Sequence, residues 1–143
     1  MNVNPYLILN GDCEAAFTFY AQATGGELGP MMRFDGMEGC GDIPPEYGQK
    51  IMHTHVMFGQ TVLMGSDNHP AQPYEGVKGC SVSLSVDSIK EAERIFAALS
   101  DGGQVTMPLA QTFWAVRFGM LVDRFGDHAR RFDAPDGIDR AMG

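Results

Sequence analysis

Two stretches of the chain, residues 5–28 and 81–105, carry the same pattern of hydrophobic and polar positions. Ala16, Phe19, Tyr20 and Ala23 in the first correspond, 76 residues on, to Ala92, Ile95, Phe96 and Leu99 in the second. Both sets follow i, i+3, i+4, i+7 spacing, the apolar stripe of a helix lying on a core. A strand-like run precedes each helix, and a glycine pair follows it, Gly25-Gly26 and Gly102-Gly103. Glycine takes the left-handed backbone that ends a helix without steric cost. Strand, stripe and glycine pair in the same order twice predict a duplicated unit.

Taken in order, residues 3–10 read as a strand that ends at Gly11-Asp12, with Asp12 as N-cap of a helix reaching about Ala23. Residues 27–34 predict a second strand. Gly36 to Gly48, with Pro44-Pro45, predicts a long loop, the kind of segment that often binds or covers a ligand. Strands follow at 51–58 and 61–66, joined by a tight turn at Gly59-Gln60. A connector at 67–79 holds Pro70, Pro73, Gly76 and Gly79. In the second half, Val82, Leu84 and Val86 alternate with Ser81, Ser83 and Ser85, a strand with one apolar face. Asp87-Ser88 caps the second helix. Strands are expected at 104–109, in the run to Val122 where Val116, Phe118, Met120 and Val122 alternate, and at 128–133. The tail from Ala134 reads as frayed. Each half is then βαβββ, and one helix leaves a face of a four-stranded sheet bare, so the fold class is α+β with two modules sharing buried surface. The 143 residues are expected to form a single domain of two modules, about 1–67 and 77–133.

Composition narrows the partners. The net charge of −8 disfavours nucleic acid and anionic membrane surfaces, both of which call for basic protein. No apolar run has the length of a spanning helix, and no basic-then-apolar leader opens the chain. Cys13, Cys40 and Cys80 are odd in number and lack CxxC spacing, so they read as buried free thiols in a reducing compartment. A cytoplasmic location is expected.

Several local runs occur together: Pro5-Tyr6-Leu7, Phe19-Tyr20, Gly25-Gly26, Ile51-Met52-His53, Leu63-Met64-Gly65-Ser66-Asp67, Thr106-Met107-Pro108-Leu109, Thr112-Phe113-Trp114, Phe118-Gly119-Met120 and Asp123-Arg124-Phe125-Gly126. In combination, and with the duplicated βαβββ unit, the chain resembles the PhnB-like branch of the vicinal oxygen chelate superfamily, which includes glyoxalase I, bleomycin-resistance proteins and extradiol dioxygenases. The resemblance covers roughly residues 3–127. It implies curved mixed sheets around a central cavity, and a homodimer. The branch often carries a 3-demethylubiquinone-9 3-methyltransferase label, but this chain has no glycine-rich strand-to-helix turn in a parallel sheet for a methyl donor.

In metal-dependent members one divalent ion takes ligands from the first and fourth strand of each module. Carried over by motif, those positions are Pro5, Met64, Ser81 and Arg130, none a His, Glu or Gln, so no metal and no other cofactor is expected there. A rival metal signal is His53 and His55, two apart on one strand face and about 7 Å from each other. Asp67 or His69 would supply the third ligand. If the helices cover Val82 and Leu84, then Ser81, Ser83 and Ser85 face the cavity, with Pro5, Leu7 and Leu9 as their equivalents. Phe113 and Trp114, beside Arg117, would form an aromatic wall. The expected ligand-binding set is therefore His53, His55, Asp67, Ser81, Ser83, Phe113, Trp114 and Arg117. Two function classes follow: metal-independent binding of a small molecule in the cavity between modules, or a lyase or isomerase using His53 as a catalytic base, with or without a relocated metal.

Overall fold

The N-terminal helix shows how the sequence pattern becomes packing. In the computed structural model, which describes residues 1–39 and 41–125 fully and residues 129–135 as backbone, α1 spans Cys13–Thr24 and buries Cys13, Ala16, Phe17, Tyr20 and Ala23. Phe17, not Phe19, completes the stripe: Phe17 is fully buried and Phe19 only half-buried. Gly25 ends the helix at φ 77°, its N–H donating to Ala21 O, as the glycine pair predicts. The second helix, α2 (Ile89–Ser100), buries all four expected positions, Ala92, Ile95, Phe96 and Leu99.

The chain divides by contacts into two compact units, Met1–Gly76 and Val77–Gly143. In the first unit, β1 (Tyr6–Leu9) lies parallel to β5 (Thr61–Asp67), and β5 lies antiparallel to β4 (Ile51–Phe58). The single strand expected at 27–34 is two short ones, β2 (Glu27–Leu28) and β3 (Met32–Arg33), both antiparallel to β4. Gly29 and Pro30 interrupt them; proline has no N–H for the ladder. In the second unit, β6 (Ser81–Ser85) lies parallel to β9 (Ala129–Pro135), followed by β8 (Ala115–Val122) and β7 (Gln104–Ala110) in antiparallel order. Each unit therefore has its first strand beside its last, with one helix on one face: an α+β arrangement.

The helix starts differ in an instructive way. Ser88 caps α2 as expected, its Oγ accepting from Glu91 N at 3.1 Å. Ser88→Ala should lower stability by about 1 kcal/mol in urea titrations. Asp12 does not cap α1 with its side chain. Asp67, at the end of β5, does so from across the fold: its carboxylate accepts from Cys13 N at 2.9 Å and from Ile51 N at 2.8 Å. One buried group thus ties together a helix start, a strand start and a strand end.

The long loop carries a 3-10 turn at Pro45–Tyr47. Its ends are pinned by Asp35 N donating to Gly48 O, and the Tyr47 hydroxyl donates to Asn68 O. Among the described residues no helix is long and apolar enough to cross a membrane.

Candidate functional site

Which sheet face each residue occupies follows from two glycines. A Cβ on Gly65 would stand 2.5 Å from the Phe17 ring of α1, so Gly65 points at the helix. Strand alternation then puts Leu63 and Asp67 on that helix-covered face, and Met64 and Ser66 on the opposite one. Ladder partners share a face, so Leu7 and Leu9, beside Gly65 and Asp67, lie under α1. Tyr6, Ile8, His55 and Met64 lie on the face away from it. His53 and Met57 follow by alternation, and Met32 by pairing with His53. In the second unit a Cβ on Gly119 would meet the Phe96 ring of α2 at 2.9 Å. Arg117 and Leu121 therefore face α2, and through the β8–β9–β6 register so do Val82 and Leu84. Ser81, Ser83 and Ser85 point away from α2 and are exposed, as the alternation predicts.

This geometry corrects three readings. Leu7 and Leu9 are core residues under α1, not equivalents of the serines; within the strands, a shift of 75 residues brings them onto Val82 and Leu84. The connector before the second helix is one residue longer, which a shift read from the helices alone conceals. Asp67 stands on the opposite side of the sheet from His53 and His55, so it is no third ligand for that pair. Arg117 faces α2, where its Nε lies 3.7 Å from Glu93, whereas Trp114 packs edge-on against Phe118 at 5.3 Å on the other side. Phe113 meets Trp114 edge-on at 4.6 Å and is almost wholly exposed.

The first unit's face away from α1 is the richest in chemistry. Tyr6, Ile8, Met32 and Met57 all stand there, each large, apolar and 38–43% exposed. Between them lie two half-buried imidazoles. His53 Nδ1 is 3.3 Å from the Tyr6 hydroxyl, with ring centroids 5.7 Å apart. His55 lies flat against the backbone at Gly29, where any Cβ would stand 2.4 Å from the ring. Tyr6 is the residue that sequence reasoning missed. Its parity with Ile8 could be read along the strand, but its place beside Met64 and His53 exists only once the strands pair. His69, the other proposed third ligand, accepts from Ala71 N at 3.1 Å and packs edge-on to Phe34. Among the described residues no three His, Cys, Asp or Glu side chains gather at metal-holding distance.

The positions expected to hold the superfamily's divalent ion are also revised by the register. Tyr6, not Pro5, stands beside Met64, and Ala129, not Arg130, stands beside Ser81; Arg130 pairs with Val82. A phenol, a thioether, a hydroxyl and an alanine contain neither imidazole nor carboxylate, so this donor set does not fit a hard or borderline divalent cation.

A cleft of about 410 Å³ opens elsewhere in the unit, near the start of α1. Apart from Glu46, its charged side chains are engaged within the protein. Arg33 forks onto Glu14 at 2.9 and 3.1 Å and donates to Gln49 O, and Lys50 donates to Gly11 O. Asp67 is spent on backbone amides. Its pKa is raised by burial, against the lowering effect of the amide donors and Lys50. Burial, helped by Asp67, also pushes the Cys13 thiol well above its ordinary value, so it is no nucleophile. Cys80 is exposed rather than buried. Cys40 lies outside the described residues.

Comparison with known proteins agrees with this architecture. Protein YjdN of Escherichia coli K12 is 29% identical over 134 residues, covering 88% of this chain and 90% of YjdN. The crystal structure of PA1353 from Pseudomonas aeruginosa is 50% identical, with a TM-score of 0.86 over 94% of this chain and 98% of that one. The PhnB protein of Bacillus cereus shares the fold, with a TM-score of 0.75 at 20% identity over 94% of this chain and 99% of its own. Residues 2–139 match the family model, and the chain belongs to the Glyoxalase/Bleomycin resistance protein/Dioxygenase superfamily.

Proposed function

We propose that the chain binds a small molecule, without a metal ion, against the face that carries Tyr6, His53, His55 and Met64. The observation that carries this reading is the register. Four partly exposed apolar side chains and two imidazoles share one sheet face. An apolar surface with a few convergent polar groups is what small-molecule sites offer. The donor set at the superfamily's metal positions supports the metal-free part of the proposal. Ser81 and Ser83, with Trp114 and Phe113, are proposed as further ligand contacts in the second unit; Asp67 and Arg117 are given structural roles instead. The proposed assembly is a homodimer in the cytoplasm, and sedimentation at micromolar protein checks the dimer.

The test is a fragment screen by heteronuclear NMR on chelator-treated protein. Hits should shift the resonances of His53 and His55, and His53→Ala should weaken them about tenfold, the order of one lost hydrogen bond plus packing. Binding that disappears on chelation, with near-stoichiometric metal in untreated protein, would overturn the proposal. A compound that is consumed rather than held, with turnover abolished in His53→Ala, would replace it by the lyase or isomerase reading.

A further inference from the structure

Resting on that binding reading, we propose that Tyr6 fixes His53 as a hydrogen-bond donor and that the site therefore selects uncharged ligands bearing an acceptor oxygen. The Tyr6 hydroxyl and His53 Nδ1 are 3.3 Å apart, and one proton must lie between them. A phenol O–H is a stronger acid than a neutral imidazole N–H, and an imidazole nitrogen is a stronger base than a phenol oxygen. The favourable direction is O–H to Nδ1. Nδ1 then carries no proton, so the proton of the neutral ring sits on Nε2. Among the described residues Nε2 has no hydrogen-bond partner, which leaves this N–H for a ligand.

The surroundings define the rest of the ligand. Ile8, Met32, Met57 and Met64 give it apolar contact, and thioethers adapt to irregular shapes. Two charges stand in register with this strand face: Glu27, opposite Met57, and Arg33, opposite Ile51, whose guanidinium is turned onto Glu14 of α1. The chain's net charge of −8 opposes an anionic ligand, and a fixed N–H donor at His53 opposes an ammonium. A ketone, ester or amide oxygen on an apolar body satisfies both constraints. Without Tyr6 the imidazole would be free to offer either a donor or an acceptor, so Tyr6 acts as a positioning residue, through His53.

The experiment is long-range nitrogen–proton NMR on histidine-labelled protein, at a pH high enough to keep imidazoles neutral. His53 should show an unprotonated, hydrogen-bonded Nδ1 and a protonated Nε2. In Tyr6→Phe the Nδ1 signal should move to its free position while the backbone amide spectrum stays that of the folded chain. A protonated Nδ1 in the wild type, or an unchanged Nδ1 in Tyr6→Phe, would overturn the proposal. Acetophenone and alpha-methylbenzylamine then serve as matched probes. The ketone should shift Nε2–H of His53, about fivefold more weakly in Tyr6→Phe, while the amine leaves it unmoved. Equal response to both probes would overturn the ligand class. No response to either, with Nδ1 as expected, would sink the binding reading itself and leave the Tyr6–His53 assignment standing.

Discussion

Asp67→Ala is expected to lower the folding free energy by about 4 kcal/mol, because it leaves at least two buried amide donors without acceptors. Cys13 N and Ile51 N both donate to this carboxylate, which is itself only 3% exposed. Asp12→Ala, at the residue that precedes the helix, should change stability by less than about 0.5 kcal/mol, since its side chain makes no capping bond. Urea titration of the two variants decides the matter: comparable effects would mean that the helix start is held by its own neighbour after all. The pH dependence has a definite sign. The folded pKa of Asp67 is raised above its ordinary value of 3.8. The stability it contributes is therefore complete below that value and is lost as pH rises through the higher folded one. Asp67→Asn lacks this titration. Its deficit relative to the wild type should shrink as pH rises from 4 upward, and a deficit that grew over that range would contradict the assignment.

Phe17→Ala should cost about 4 kcal/mol, as expected for a fully buried ring whose loss leaves a cavity. The ring lies directly over Gly65, where a Cβ would stand 2.5 Å from its Cε2 and Cζ atoms. Gly65→Ala alone should destabilise by about 2 kcal/mol, because Phe17 is enclosed and cannot swing clear. The two changes together should cost at least about 1 kcal/mol less than their sum, since the new methyl enters the space that the ring vacates. Full recovery is not expected: Leu7 O stands 3.0 Å from the same Cβ position and does not move with the ring. Strict additivity in a double-mutant cycle would mean that α1 does not rest on Gly65.

Much of this was legible along the chain. The helices, the glycine end of α1, the β4–β5 hairpin and the serine-faced strand all arise from short-range periodicity, which burial on one side of a helix or sheet imposes directly, whereas α2 ends on an extended Asp101 before its glycines. Ser88 caps its own helix and could be read locally. Asp67 could not, because the amide it serves is 54 residues away. Proximity of that kind exists only once β5 lies beside β1.

The candidate site shows the same division. The sequence by itself determined the residue types: two histidines two apart, with methionines and aromatics in the neighbouring strands. Only the tertiary structure decided which of them share a face. Alternation gives relative parity within one strand, but nothing in a single strand says which parity meets the helix. That was settled by Phe17 over Gly65 and Phe96 over Gly119, contacts between elements far apart in the chain. They move Leu7, Leu9, Asp67 and Arg117 to the helix sides and bring Tyr6 onto the open face, beside His53.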